Sequence, residues 1–297
     1  MTVLIAAYFA MLTRLLPMVV CVGIGFIWGR RDLPYPTAFV STLVTYVAIP
    51  GLVFHTLMTT PLDASTMMWV LTLSVLALLA AGVIVAVVLR LLGLSGRDLG
   101  QTAWIPNAGN LGLPMSQIVF GLEGLTIAIA FFAASSFVNF TLGLRWLTGS
   151  MGKVWRQPVL WATLIGIALR GFDITAPQWA LDSAAMVGSM AVPLMLITLG
   201  HTLSQLPSSG FKAGSGVAFA RYVSGVVVAG ILMLPIGIDP LIAAPIALQM
   251  LMPCAVNSYM FARLHGNAGD AAAGAVLVST VVFLLLAPLL LWVAGVG

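Results

Sequence analysis

The sequence predicts an all-α polytopic membrane protein of ten transmembrane helices, built as two inverted five-helix repeats with broken crossing helices in spans 4 and 9. Three observations predict it. The chain is 61% hydrophobic and 7% charged over 297 residues, with mean hydropathy +1.12. Apolar runs of roughly 20 residues, the length a helix needs to cross the hydrocarbon core, recur from end to end. Two proline landmarks recur at nearly one spacing in the two halves, 1–149 and 150–297.

The spans run near 5–28, 37–58, 66–92, 98–120, 124–146, 155–171, 179–203, 213–236, 240–264 and 270–295. The opening "MTVLIAAYFAMLTRLLPMVV" has no basic leader region and no small-residue cleavage site, so it reads as the first crossing rather than a removed signal peptide. Span 2 holds "VAIPGLVFHTL", Val47 to Leu57, and span 3 the tract "VLALLAAGVIVAVVL", a lipid-facing or packing helix. Span 4 contains "IPNAGNLGLP", Ile105 to Pro114, with two prolines, two glycines and two asparagines in ten residues. Proline lacks the backbone N–H and clashes with the preceding turn, and glycine adds an entropic cost, so a helix breaks here. Span 5 leads through residues 147–157, too short for a soluble domain, into span 6. Span 7 holds "MAVPLMLITLGHTL", Met190 to Leu203; span 8 carries Arg221; span 9 contains "PCAVN". The small residues of "DAAAGAVLVST" in span 10 permit close helix packing.

Charge orients the spans. Connections after odd-numbered spans hold Arg30, Arg31, Arg90, Arg97, Arg145, Lys153, Arg156, Lys212 and Arg263; those after even-numbered spans hold Arg170 alone. Basic residues stay cytoplasmic, so the odd connections face inward and both termini face the periplasm. The net charge of +4 reflects this anchoring rather than a nucleic-acid partner. Cys21 and Cys254 stand singly in apolar context, without metal-ligand spacing, and read as inert buried thiols.

The repeat follows from spacing. Pro50 and Pro193 are 143 residues apart and Pro106 and Pro253 are 147 apart. Asn110 and Asn257 each lie four residues beyond the latter pair, in "PNAGN" and "PCAVN". Each landmark falls in the corresponding span of a five-span half. Five is odd, so the second half inserts upside down relative to the first. Unpaired backbone in hydrocarbon is costly, so broken helices belong inside protein or beside a watery cavity. Two symmetric breaks can cross at the midplane, with the half-helices that follow aiming free N–H groups and positive dipole ends at one site. Such a site favours an anion, typically a carboxylate. Pro106, Asn107, Asn110, Pro253 and Asn257 are the candidate substrate-binding residues, the asparagines adding neutral amide donors and acceptors. The competing reading makes the prolines simple kinks and the asparagines partners for the backbone they free.

Other polar residues are sparser. Arg221 in "FARYVSG" either attracts a second carboxylate, pairs with an acid, or snorkels to the inner surface; Arg14 snorkels outward. His55 and His201 open the matched "HTL" triplets near opposite faces, as proton-shuttle candidates or as polar caps. Asp182 and Glu123 sit away from the midplane. The sequence carries no Cys/His metal cluster, nucleophile motif, phosphate-cradling loop or paired intramembrane carboxylates, so neither an enzyme, a cofactor, a metal site nor an ATP-driven pump is expected.

The broken spans also carry a family likeness. "IPNAGNLGLPMSQIVFG" resembles the Pro-Asn, then Gly-aliphatic-Pro, pattern in the fourth span of the auxin efflux carrier family. "MPCAVNSYMFARLHGNAGDAAAGAVLVSTVVFLLLAPLLL" is similar to that family's ninth and tenth spans, including Phe261, Ala262, Arg263 and Pro288, and "IPGLVFHTL" is like its second. The resemblance implies a scaffold of spans 1, 2, 6 and 7, a moving transport unit of spans 3–5 and 8–10, and a homodimer. It also implies a carboxylate held at Pro106, Asn107, Pro253 and its neighbours. The short 147–157 connection and Asn257, where some plant members have a second proline, look like the bacterial branch associated with malonate and other small dicarboxylates. The expectation is an inner-membrane secondary transporter for a small carboxylate, malonate-like or auxin-like, working by elevator-like alternating access. The alternative is a sodium- or proton-coupled symporter of the related bile-acid symporter fold. An anion sensor would need an output domain or docking tail, and an intramembrane enzyme would need an acid/base pair.

Overall fold

A computed structural model describes residues 2–207, 210–234, 237–265 and 268–293, with side chains omitted at 2–12, 14, 264–265 and 288–293. Arg14 and Pro288, singled out above, therefore lie outside the described side chains.

Every named element is helical: α1 Thr2–Arg30, α2 Thr37–Thr59, α3 Ala64–Leu91, α4 Gly96–Trp104, α5 Ala108–Thr148, α6 Pro158–Gly171, α7 Gln178–Gln205, α8 Phe211–Leu232, α9 Pro240–Met250, α10 Val256–His265 and α11 Gly269–Val293. Six stretches among the described residues are long and apolar enough to cross a membrane: Thr37–Thr59, Ala64–Leu91, Ala108–Thr148, Gln178–Gln205, Phe211–Leu232 and Gly269–Ala287. Shorter apolar helices include Leu15–Arg30, the 14-residue α6 and the 11-residue α9. Side-chain oxygens start several helices. Asp63 accepts from Thr66 N ahead of α3, Ser95 from Asp98 N ahead of α4, and Asp239 from Leu241 N ahead of α9.

Helix α5 is a hairpin. A straight helix would hold Gly109 and Phe132 about 35 Å apart at 1.5 Å per residue. Instead, a Cβ at Gly109 would lie 3.1 Å from the Phe132 ring. The reversal is at Gly121, whose φ of 66° and ψ of −150° suit a residue with no Cβ. Prolines account for other irregularities. Pro50 follows a π turn at Val44–Ala48, and Pro193 follows a break in α7 at 188–190. Each proline removes one backbone donor, and the local widening or break absorbs that loss.

Packing gathers the helices into two groups. In one, α1 lies along α7, and α2 packs on α6 and on the first part of α7. Small residues bring these backbones together: a side chain at Gly25 would run into the Ile197 carbonyl, and one at Gly200 into the Val22 carbonyl. In the other group α8 packs on α11, α3 and α9, and α9 packs on α5. Gly214 and Gly274 make the α8–α11 approach. Trp104, at the end of α4, donates Nε1–H to Leu78 O at 2.6 Å and fills the space left by Gly82.

Candidate functional site

The local sequence fixes where α4 and α9 stop. Pro106 forces Ile105 to extended angles (φ −84°, ψ 117°), ending α4 at Trp104. Helix α9 ends at Met250, three residues before Pro253. The two breaks then meet. Pro106 and Cys254 form an antiparallel bridge, in which Asn107 N donates to Pro253 O at 2.8 Å and Ala255 N donates to Ile105 O at 3.1 Å. Each break thus satisfies backbone groups of the other, as irregular backbone away from water requires. Beyond the bridge, α5 starts at Ala108 and α10 at Val256.

Above this crossover lies a cavity of about 530 Å³. Its floor is Pro106–Asn110 and Ala255–Asn257. Its walls come from α2, the returning arm of α5, and the end of α7, and the lining reaches Thr37, Gln157 and Gln205. Those residues flank the connections at 31–36, 149–157 and 206–207, so the cavity runs toward the end of the bundle that holds them. The first N–H groups of a helix lack intrahelical partners and carry the positive dipole end. Two such helix starts face this one cavity. The π turns Val44–Ala48, Ala108–Gly112 and Asn139–Gly143 all contribute lining residues, a geometry that recurs at functional sites. Among the described residues the lining holds no Lys, Arg, Asp or Glu.

Asn107 is 4% exposed, and its Nδ2 has no hydrogen-bond partner. Asn110, half-buried, and Asn257, exposed, also line the cavity, as does Pro106. Pro253 is buried outside the lining and contributes its carbonyl to the bridge. His201 lines the wall, stacked on Tyr35 with ring centroids 4.6 Å apart; the Tyr35 hydroxyl is 2.7 Å from Thr198 Oγ1.

His55 is outside the cavity lining: it sits near the opposite end of α2, where its carbonyl accepts from Thr59 Oγ1. One expectation is corrected. Arg221 neither lines the cavity nor snorkels nor pairs with an acid. It is fully buried, donating Nη1–H to Trp104 O and Nη2–H to Met250 O, the latter at 2.8 Å. Its guanidinium is held by the main-chain oxygens that end α4 and α9, so it does not reach either surface.

Sequence reading missed two buried glutamines. Gln101 donates to Asn139 Oδ1 at 2.8 Å and Gln249 to Ser116 Oγ at 3.0 Å, each leaving its own Oε1 unpartnered. They stand five and four residues before the repeated prolines, so a polar residue recurring inside two apolar half-helices was the available signal.

The chain matches the family model described as membrane transport protein over residues 10–155 and 147–291. An uncharacterized transporter of Methanothermobacter thermautotrophicus is 28% identical over 275 residues, covering 84% of this chain and 86% of the relative. A multi-pass helical chain with paired helix breaks is consistent with that likeness, and the family matches span nearly its whole length. The chain belongs to the membrane transport protein family, the auxin efflux carrier family.

Proposed function

We propose that this transporter carries a small organic anion across the inner membrane by alternating access, holding the carboxylate at the crossover. One observation carries the reading: two helix starts face one cavity, Asn107 with its buried and unpartnered amide nitrogen is part of its lining, and no charged residue lines it among those described. Each helix N-terminus is equivalent to roughly half a positive charge, so the pair balances about one carboxylate. The lining also offers Phe132, Phe140, Tyr46 and Met195 to an apolar body. The substrate class that fits is therefore a monoanion, meaning a monocarboxylate or a dicarboxylate that keeps one proton.

The same reading takes the chain as ten spans in two inverted halves, 1–149 and 150–297. The α1–α2–α6–α7 group is the scaffold and the α3–α5 with α8–α11 group the elevator-like transport unit, which agrees with the packing described above. The basic connections support a cytoplasmic cavity mouth and periplasmic termini. A homodimer follows from the family resemblance. Proton coupling is the second reading, because His201 stands in the cavity wall. No corresponding observation favours sodium.

Purified protein in proteoliposomes tests the proposal. Each elementary charge crossing 100 mV changes its energy by about 2.3 kcal/mol. Carboxylate-dependent charge movement that follows an imposed potential, and persists without sodium, is the expected result. Transport that stops without sodium promotes the symporter alternative; absence of carboxylate binding across mono- and dicarboxylates sinks the anion reading. Cysteines placed at 147–157 should resist an impermeant external reagent, whereas one near residue 61 should label.

A further inference from the structure

Arg221 is a fully buried cation whose hydrogen bonds go to carbonyls rather than to a carboxylate. The two carbonyls have a common character. Trp104 is the last residue of α4 and Met250 the last residue of α9. Each helix C-terminus is equivalent to roughly half a negative charge. Two such ends brought together repel, yet the crossover requires them to converge. One guanidinium, planar and forked, answers both oxygens and carries about the charge they jointly present. The next turn of α8 is shaped for the same approach, because a side chain at Gly225 would run into the Met250 carbonyl.

We propose that Arg221 is the positioning residue of the crossover. It clamps the C-terminal ends of α4 and α9 together and cancels their negative dipole ends, so that the positive ends of α5 and α10 act on the cavity unopposed. The clamp at Trp104 and Met250 immediately precedes the bridge through Ile105, Asn107, Pro253 and Ala255. Loosening it therefore frees the bridge first. Arg221 acts at a distance from any cavity ligand and through the backbone.

Hydrogen exchange on the full-length protein, purified without ligand, tests the clamp in wild type, Arg221→Met, Arg221→Lys and Gly225→Ala. In Arg221→Met the amides of Asn107 and Ala255 should exchange about tenfold faster while those of α1 and α7 hold their wild-type rates, since local opening need not follow global opening. Arg221→Lys keeps the charge and should recover most of the protection. Gly225→Ala keeps Arg221 but displaces the Met250 carbonyl, and should behave like Arg221→Met. If Arg221→Met does not fold, the Lys and Gly225→Ala proteins decide the question. Unchanged exchange at the bridge, or equal acceleration in every helix, overturns the proposal. A second arm rests on the anion-carrier reading and uses benzoate as probe: its dissociation constant should rise about tenfold in Arg221→Met and return near wild type in Arg221→Lys, a size within reach of a buried helix-end charge effect. Unchanged benzoate affinity in Arg221→Met removes the electrostatic half of the proposal. A wild-type protein that binds neither benzoate nor malonate refutes the carrier reading, while the exchange measurement still decides the clamp.

Discussion

The two breaks share a backbone design and differ in chemistry. At the first, the residue after the proline is Asn107, a cavity-lining residue whose buried amide nitrogen has no partner. At the second it is Cys254, fully buried, outside the lining, with its own N–H held by Ser279 Oγ at 3.1 Å. The same 147-residue spacing pairs Gly112, packed against the Gln249 side chain, with Tyr259, a cavity-lining phenol. A shared break geometry therefore does not make the two breaks chemically alike. Both contribute a helix start to the cavity, but the first adds the buried Asn107 amide and the second the Tyr259 phenol.

The largest expected effect breaks that comparison at its centre. Asn107→Ala should weaken carboxylate binding by ~1–3 kcal/mol, roughly 5- to 150-fold, because a buried hydrogen bond to a charged ligand is lost. Isothermal titration measures it, and wild-type affinity in this variant would return the prolines to the role of simple kinks. Gly112→Ala comes next. Its methyl would enter the space of Gln249 Oε1, and overpacking of this kind destabilises by about 1–3 kcal/mol. A lowered melting temperature is the readout, with benzoate affinity of the folded fraction changing less than in Asn107→Ala. Asn257→Ala should cost binding only about 0.5–1 kcal/mol, since water can replace an exposed amide; a loss equal to that of Asn107→Ala would make the two halves chemically equivalent. Cys254→Ala should leave affinity unchanged and lower stability by about 1 kcal/mol from the missing buried sulfur. Altered affinity there would bring the second break into direct contact with substrate.

Much of this was legible locally. Proline, glycine and asparagine declare a break within a few residues, and hydropathy marks the helices around it. The gap between spans 4 and 5 holds Gly121, where the chain reverses. What escaped depends on contacts distant in sequence. Arg221 meets Trp104 and Met250 from 117 and 29 residues away, and no local pattern distinguishes a guanidinium that caps helix ends from one that reaches water. Gln101 and Asn139 find each other only because α5 doubles back. His55 and His201 occupy matching triplets, but only His201 lines the cavity, and sequence carries no record of the end toward which the cavity runs.

Helix α6 has a consequence for the surrounding lipid. Its 14 residues span about 21 Å, against a hydrocarbon core of about 30 Å. Trp161, Leu164 and Ile165 are exposed on it, while Trp155 before it and Phe172 and Trp179 beyond it are aromatic anchors of the kind that settle at headgroup depth. A bilayer meeting this helix either thins beside it or has the flanking side chains snorkel outward, at a cost of a fraction of a kcal/mol for each ångström of mismatch. Gln157 and Val159, where the helix begins, are also part of the cavity wall. Acyl-chain length is thereby expected to act on the cavity wall at Gln157 and Val159.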